Sequence, residues 1–195
     1  MTSPAMRRFV EDAAAIVRAG GAEQAITAKV AECLGPILGD PDLLTPEQCL
    51  VRRQGFTLNK IHIAPDESFS IGAGIWDVGQ TTPIHDHGTW GVIGIWRGVE
   101  REESFERLGP RVMAGRVQIV PRVGRLAGPG TVFVCCTTDQ DVHRVSCASP
   151  EPVIGVHVYG GDLARIPRLK YDEGTGEVKA FVTGWDYAKA AAGSF

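Results

Sequence analysis

The stretch from about residue 51 onward is divided into short apolar and β-branched runs, and this division limits the possible folds more than any other feature of the chain. Gly, Pro and Asp residues separate the runs. Many short strands with frequent turns are typical of an all-β sandwich or barrel. The sequence predicts strands at residues 60–63, 68–76, 92–96, 99–107, 117–120, 131–136, 142–146, 153–159 and 169–171.

The first part of the chain has a different pattern. Phe9 and Ala13 stand at helical spacing in an Ala-rich segment that ends at a pair of glycines. Val30 and Leu34 continue a similar stripe in a second segment. We therefore expect helices within residues 5–39.

These patterns predict how the chain is organised. A helical segment over residues 1–48 is expected to pack on a β-barrel formed by residues 49–187, and residues 188–195 would form a tail. Small barrels have interiors wide enough for one small ligand, so we expect the functional site at the mouth of the barrel.

Composition argues against several classes of function. The 195 residues carry a formal net charge of −3 and no long basic run, so we expect no nucleic-acid partner. No stretch approaches the roughly 20 apolar residues that span a bilayer. The five cysteines are odd in number and form no Cys-x-x-Cys pair. This argues against a disulfide framework or a structural zinc site and favours a reducing cytoplasm.

Two of the five histidines stand two residues apart, after a turn-forming segment and before an apolar run. On a strand, His85 and His87 would point to the same face while Asp86 faces away. His143 lies in another short β-branched run. Three histidines aimed into an apolar interior are a reasonable ferrous or zinc site. Spacing alone is equally compatible with hydrogen-bonded structural histidines.

Several separated motifs extend this pattern in the order found in a known family. They are Thr82-Pro83-Ile84-His85-Asp86-His87, Trp90-Gly91-Val92-Ile93-Gly94, Arg97-Gly98-Val99-Glu100, Asp141-Val142-His143-Arg144-Val145-Ser146 and His157-Val158-Tyr159-Gly160. Over residues 56–185 the chain resembles the thiol dioxygenases of the cupin superfamily, which include cysteine dioxygenase and 3-mercaptopropionate dioxygenase. The resemblance implies a mainly β fold, the cupin double-stranded β-helix barrel or jelly roll, here with N-terminal α-helices.

The resemblance also implies a mononuclear Fe²⁺ cofactor with His85, His87 and His143 as ligands. Many cupins carry a glutamate shortly after the second histidine, but residues 88–94 hold no acid. Three neutral imidazoles leave the metal charge uncompensated, and a thiolate substrate can supply the missing anion. Glu100 is the nearest acid downstream, and we expect it to be structural or exposed.

A second group lies on one predicted strand, where His157 and Tyr159 share a face. Without the family match these would be a core tyrosine beside a buried histidine. The family has a Ser-x-His-x-Tyr relay here, which implies catalytic roles for both residues. Gly155 replaces the serine, and we expect this change to enlarge the pocket. No cysteine lies between His87 and Gly98, so we do not expect the cysteine–tyrosine crosslink of mammalian-type cysteine dioxygenases.

The substrate carboxylate requires a cationic partner. Mammalian-type enzymes use an arginine on an early strand, where this chain has Leu58, whereas the 3-mercaptopropionate branch uses an arginine after the Tyr-Gly motif. Arg168 stands at the matching distance, with Arg165 nearby. A guanidinium binds a carboxylate through two parallel hydrogen bonds. We expect Arg168 and Tyr159 to bind the substrate and Trp90 to line the pocket.

The sequence thus predicts a cytoplasmic iron-dependent dioxygenase that oxidises the thiol of a small mercapto-carboxylic acid with O₂ to a sulfinate. The 3-mercaptopropionate branch is nearest, and a monomer or small homo-oligomer is expected. Three alternatives remain open. The first is a thiol dioxygenase whose substrate is cysteine or mercaptosuccinate. The second is a non-catalytic metal-binding cupin that acts as a sensor. The third is a cupin isomerase or a dioxygenase that cleaves carbon bonds. The last group usually requires the acidic ligand that this chain lacks.

Overall fold

Two N-terminal helices precede the strands, as the sequence predicts. The computed structural model describes residues 2–52, 55–138 and 141–186, and the predicted tail at 188–195 lies outside them. The helical elements are α1 at Pro4–Ala19, α2 at Glu23–Leu34, and two 3₁₀ helices at Gly35–Gly39 and Pro46–Cys49. None of the helices in these ranges is long and apolar enough to cross a membrane.

Local sequence explains where the helices begin and end. The Ser3 side chain accepts a hydrogen bond from the backbone N–H of Met6 at 3.1 Å, and Pro4 occupies the first turn, where a backbone N–H would have no helical partner. Helix α1 ends at Gly20, whose φ of 67° favours glycine. Helix α2 gives way to a 3₁₀ helix because Pro36 has no N–H for the next α-helical hydrogen bond.

Thirteen strands follow in the described part of the chain, and they include all nine that the sequence predicts. The four additional strands have weak patterns: β3 has two residues, β6 and β8 have three each, and β13 is mostly exposed. The bounds are β1 Thr57–Ile63, β2 Phe69–Trp76, β3 Ile84–His85, β4 Gly91–Arg97, β5 Glu100–Leu108, β6 Ala114–Arg116, β7 Gln118–Pro121, β8 Arg125–Ala127, β9 Val132–Cys136, β10 Val142–Cys147, β11 Val153–Gly160, β12 Arg168–Tyr171 and β13 Glu177–Phe181.

The strands form two antiparallel sheets. One has the order β1-β2-β11-β4-β9, and the other has the order β6-β13-β12-β3-β10-β5-β7, with β8 also paired to β5. Neighbours in the sheets are often distant in sequence, as in a jelly roll, and a cavity lies between the two sheets. The predicted fold class, a mainly β jelly-roll barrel with N-terminal helices, is confirmed.

The five-stranded sheet is covered on both faces. Its outer face packs on the helices and shares one core with them, while its inner face lines the cavity. Successive side chains alternate between the faces, so on β11 Val156 and Val158 face the helices, and His157 and Tyr159 face the cavity. Strands β2 and β11 are therefore buried almost throughout.

Helix α2 approaches β4 closely at Gly94. A Cβ at this position would lie 2.8 Å from Cδ2 of Leu34 and 3.0 Å from Cδ1 of Leu38. The absence of a side chain at Gly94 thus lets the helical segment pack directly on the sheet behind the cavity.

Candidate metal centre

Three histidines converge between the sheets. His85 ends β3, His87 follows two residues later, and His143 on β10 pairs directly with His85 in the sheet register. One ring nitrogen from each lies within 4.8 Å of the others, and all three side chains are buried. The structure therefore brings together the three residues that the sequence predicts as ligands.

Each imidazole uses its outer nitrogen to donate a hydrogen bond away from the cluster. Nδ1 of His85 donates to the carbonyl oxygen of Pro83 at 2.9 Å, Nδ1 of His87 donates to Oδ2 of Asp141 at 3.0 Å, and Nδ1 of His143 donates to Oε1 of Glu102 at 3.0 Å. Because the partners are acceptors, Nε2 of each ring keeps a free lone pair.

The protonation state of the cluster suits a metal ion. Burial lowers the pKa of His85 and His87 well below the usual range, and the neighbouring His143 and Arg168 lower it further. Nε2 of His143 is buried without a hydrogen-bond partner. Metal ligation requires neutral imidazoles, and an unpartnered buried nitrogen requires an explanation, so the donor set fits a divalent metal.

Two carboxylates that hold the ligands were missed from the sequence. Asp141 accepts hydrogen bonds from both the ring and the backbone N–H of His87, the latter at 2.6 Å. Glu102 on β5 accepts hydrogen bonds from His143 and Arg125. Burial alone would raise the pKa of Glu102, but these two hydrogen bonds have the larger effect and lower it to about 2. The Asp-x-His spacing was a usable signal for Asp141. Glu102 is brought to His143 only by strand pairing.

Asp86 faces away from the cluster, as predicted, and it anchors the segment that carries His85 and His87. Its carboxylate accepts hydrogen bonds from Arg111 at 2.8 and 3.1 Å, from the Tyr171 hydroxyl at 2.8 Å and from the Leu169 backbone N–H at 2.8 Å. The intervening acid therefore ties the histidine pair to β12.

The histidines line a small cavity of about 20 Å³. This volume is far below the several hundred Å³ that are usual for small-molecule sites, so side chains must move to admit a substrate. The apolar wall includes Phe56, Trp76, Ile93 and Val145. The polar lining consists of Thr82, His85, His87, Glu100, His143, His157, Tyr159 and Arg168.

The prediction that Trp90 lines this pocket is wrong. Trp90 packs against the helix-facing core, close to Gly160, and Trp76 on β2 lines the cavity instead. The reason is the alternation along β4. Val92 and Trp96 face the helices whereas Ile93 and Ile95 face inward, and Trp90 follows the outward series.

His157 and Tyr159 contact each other beside the cluster. Nδ1 of His157 lies 3.0 Å from the hydroxyl oxygen of Tyr159, and the Tyr159 ring stacks on His87 with a centroid distance of 5.2 Å. Burial lowers the pKa of His157 to about 3, with a further contribution from His143, and burial raises the pKa of Tyr159. The pair therefore holds a neutral imidazole and a protonated phenol.

The expected enlargement of the pocket at Gly155 does not occur. A Cβ at Gly155 would lie 3.0 Å from Nε2 of His157, and a Cβ at Gly74, which pairs with Gly155, would lie even closer to that nitrogen. The imidazole itself occupies the space between the two glycines. Nε2 of His157 is buried without a hydrogen-bond partner.

The two candidate arginines have different surroundings. Arg168 is 2% exposed, lines the cavity and stacks on Phe181 at 4.6 Å from the ring centroid, and its Nε and Nη2 have no hydrogen-bond partner. The Arg165 side chain is 70% exposed and pairs with Glu67 at 2.9 Å. Leu58 is buried beside Tyr159. Arg168 is thus placed to meet an anion in the cavity, and Arg165 is not.

Glu100 is buried, which contradicts the exposed alternative of the expectation and leaves the structural one open. It is 2% exposed, lines the cavity, and its Oε2 has no hydrogen-bond partner. Burial, assisted by the neighbouring Glu102, raises its pKa to about 8. Alternation on β5 turns Glu100 and Glu102 inward, a placement that the preceding Arg-Gly turn did not reveal from sequence alone.

The sequence argues against a disulfide framework, but one of the described cysteines forms a disulfide bond. Cys33, Cys49 and Cys147 are free, whereas Cys135, which lines the cavity, is disulfide-bonded.

No family model matches the chain. Solved structures to which it is similar include the cupin domain of Schizosaccharomyces pombe Cnp3, with 13% identity and a TM-score of 0.42 over 57% of this chain and 65% of that chain. An acetylacetone dioxygenase from Acinetobacter johnsonii has 14% identity and a TM-score of 0.46 over 75% and 85% of the two chains. Oxalate oxidase in complex with the substrate analogue glycolate has 14% identity and a TM-score of 0.44 over 63% and 61%. The chain spans less than two thirds of the Cnp3 cupin domain chain and of the oxalate oxidase chain. Similarities at this level of identity say nothing about what the chain binds.

Proposed function

We propose that the protein is a non-haem iron dioxygenase that converts the thiol of a small mercapto-carboxylic acid to a sulfinate with both atoms of O₂. The observation that carries this proposal is the combination, in one cavity, of three buried, inward-facing imidazoles and a buried arginine whose Nε and Nη2 have no hydrogen-bond partner. His85, His87 and His143 would hold Fe²⁺, which supplies thiol acidification and oxygen chemistry when bound.

The charges of the cavity support an anionic substrate. The group of candidate metal ligands in the described residues contains only histidines, so the ligands themselves bring no negative charge. Arg168 adds a buried guanidinium whose Nε and Nη2 have no hydrogen-bond partner, and none of the ion pairs among the described residues includes it. A substrate that carries both a thiolate and a carboxylate neutralises both centres, and the guanidinium fork fixes the position of the carboxylate.

Tyr159 and His157 have a separate part in the proposal. The Tyr159 ring stacks on His87, its hydroxyl hydrogen-bonds to His157, and both Tyr159 and His157 are buried. A protonated phenol at this place can donate a hydrogen bond to the bound acid or to a reacting oxygen atom. His157 is neutral and tightly enclosed, so it serves to position Tyr159 rather than to carry a proton.

The test is oxygen consumption by the iron-loaded protein with 3-mercaptopropionate, cysteine, mercaptosuccinate and 2-mercaptoethanol. We expect one O₂ consumed for each sulfinate formed, as measured by mass spectrometry, with the three acids preferred over the neutral thiol. If the protein carries stoichiometric iron and binds the acids without consuming oxygen, the result would favour a non-catalytic sensor instead. Absence of both binding and oxygen uptake would contradict the proposal.

The cellular setting is also a proposal. We infer a cytoplasmic protein that works as a monomer or small homo-oligomer with no nucleic-acid or membrane partner, since its formal net charge is −3 and its chemistry requires only a small acid and O₂.

A further inference from the structure

Several buried polar atoms without a hydrogen-bond partner in the described part of the chain belong to side chains that line the metal cavity. The proposed metal ion accounts for Nε2 of His143, and a bound acid accounts for Nε and Nη2 of Arg168. Three atoms remain, which are Nε1 of Trp76, Oε2 of Glu100 and Nε2 of His157. A buried polar atom without a partner is costly, so these three atoms require an explanation of their own.

The three side chains are brought together by strand pairing and ring contacts. The rings of Trp76 and His157 lie with their centroids 5.4 Å apart. Trp76 shares a core cluster with Val145, and Cys147 packs against this cluster. Cys147 is in turn the direct partner of Glu100 in the register of β10 and β5. The cavity of about 20 Å³ has room for about one water molecule, so polar groups around it can be linked directly or by one water.

Glu100 is a neutral acid at neutral pH. Its side chain is 2% exposed, and the cation on the adjacent strand, Arg125, pairs with Glu102 instead. A buried carboxylate without a cationic partner is far less stable than the protonated acid, and burial raises the pKa of Glu100 to about 8. A protonated carboxyl group has one O–H donor and keeps acceptor capacity, so it can link a donor on one side to an acceptor on the other.

The tautomer of His157 decides where the hydroxyl hydrogen of Tyr159 points. Nδ1 of His157 lies 3.0 Å from the hydroxyl oxygen. With the ring proton on Nδ1, the ring donates to this oxygen, the hydroxyl can donate into the cavity, and Nε2 carries a lone pair that needs a donor. With the ring proton on Nε2, the hydroxyl must donate to Nδ1 and offers the cavity only an acceptor.

We propose that Glu100 is a positioning residue whose neutral carboxyl group donates a hydrogen bond to Nε2 of His157, directly or through one water molecule, and so keeps the ring proton on Nδ1. Nε1 of Trp76 donates to the same carboxyl group. One hydrogen-bonded chain then satisfies the three remaining atoms and turns the Tyr159 hydrogen toward the cavity. The consequence for turnover rests on the proposed function, whereas the hydrogen-bonded chain itself does not.

The test determines the tautomer directly. Protein with isotopically labelled histidine is studied by nitrogen NMR, both metal-free and loaded with diamagnetic Zn²⁺, because the nitrogen shift separates a protonated ring nitrogen from a bare one. His157→Gln assigns the His157 signals. The variants are Glu100→Met, which removes the donor, Glu100→Gln, whose amide keeps one, Trp76→Phe, and Glu103→Met as a matched control. Glu103 lies on the same strand, but it is partly exposed and pairs with Arg144.

We expect the His157 proton on Nδ1 in the wild type, Glu100→Gln, Trp76→Phe and Glu103→Met, and on Nε2 in most molecules of Glu100→Met. In the iron-loaded protein, kcat should fall roughly 10-fold in Glu100→Met and less in Glu100→Gln, as for the loss of one hydrogen bond. A proton on Nε2 in the wild type, or on Nδ1 in Glu100→Met, would overturn the proposal. So would equal changes in the two Glu100 variants, or a change in Trp76→Phe without one in Glu100→Met.

Infrared spectroscopy tests the neutral acid without a variant that lacks the donor. The spectrum of the wild type at neutral pH should contain the C=O band of a protonated carboxyl group that is absent from Glu100→Gln. Identical spectra would overturn the proposal even if Glu100→Met does not fold, which thermal unfolding of each variant shows. Neither spectroscopic measurement uses substrate or oxygen. The proposed function therefore fails separately, if no thiol supports oxygen uptake.

Discussion

At the residue scale, the outward hydrogen bonds of the three histidines are as informative as the histidines. Pro83, Asp141 and Glu102 each accept a hydrogen bond from one Nδ1 and thereby orient one ring. Pro83 accepts through its backbone carbonyl, which a substitution does not remove, whereas Asp141 and Glu102 accept through their side chains. Such outer partners fix the tautomer and raise the basicity of the ligand, so metal affinity should depend on them.

Replacing Glu102 with Gln tests this dependence. An amide offers one acceptor oxygen where the carboxylate offers two, so either His143 or Arg125 loses its partner. We expect the metal affinity, measured by competition with a chelator, to fall roughly 10- to 100-fold. Glu103→Gln is the control and should leave the affinity unchanged. Equal affinities of the Glu102 and Glu103 variants would show that His143 needs no carboxylate partner.

The buried Glu100 predicts a pH dependence of stability in the metal-free protein. Its pKa is raised to about 8, so between the ordinary pKa of 4.5 and about 8 the folded state holds a proton that the unfolded state has released. Stability should therefore fall as pH rises through this window, by up to about 1.4 kcal/mol per pH unit for one proton. Glu100→Gln should remove this contribution. Urea unfolding of both proteins at pH 5 and pH 8 checks it, and parallel pH profiles would contradict it.

The two arginines give a matched pair of variants. Arg168→Met removes the buried cation of the cavity, whereas Arg165→Met removes an exposed one. Truncating one partner of a buried charge pair costs roughly 2–5 kcal/mol, so KM for an acid substrate should rise steeply in the first variant only. The measurement is KM for 3-mercaptopropionate and for neutral 2-mercaptoethanol. A similar rise for both thiols would exclude a carboxylate contact at Arg168.

At the element scale, pairing of β2 with β11 shapes the pocket wall behind His157. Gly74 and Gly155 are direct neighbours across the two strands, and the imidazole of His157 lies against both. Neither position tolerates a side chain without movement of the ring. The register of the two strands therefore fixes where His157 stands and, through it, the Tyr159 hydroxyl.

Gly74→Ala should displace this ring. A Cβ at residue 74 would overlap Nε2 of His157, and overpacking of this kind costs typically about 1–3 kcal/mol. We expect a lower melting temperature and a reduced kcat with the iron content retained. Gly128→Ala is the control, because a Cβ there meets no atom within 4 Å. Unchanged kcat in Gly74→Ala would show that the position of His157 does not matter for turnover.

At the scale of the whole molecule, sequence patterns predict the elements with long, strong patterns. Strands β2, β4 and β11 are nearly continuous apolar runs, and all three are predicted within a few residues of their ends. The sequence does not predict β3, β6, β8 or β13, since two or three residues, or a mostly exposed strand, carry little periodicity. These strands form because backbone hydrogen bonds to the neighbouring strands stabilise them.

The same distinction applies to the site. The histidine cluster is predictable because its members lie in short local motifs. Glu100 lines the cavity and Glu102 binds His143 because both lie on the inward face of β5. Trp90 does not line the cavity because it lies on the helix-facing side of the sheet. Near a turn, the face of the sheet that a side chain occupies depends on how the strand pairs with segments distant in sequence. A local sequence pattern does not contain this information.

If His85, His87 and His143 hold one iron ion, the amount of bound iron must depend on all three side chains. Iron per chain is measured by mass spectrometry for the wild type, for His85→Ala, His87→Ala and His143→Ala, and for His62→Ala as a control. His62 lies outside the cluster and packs against Phe69. We expect one iron per chain in the wild type and the His62 variant, and close to none in the other three. Full iron retention by any one of those three variants would contradict it.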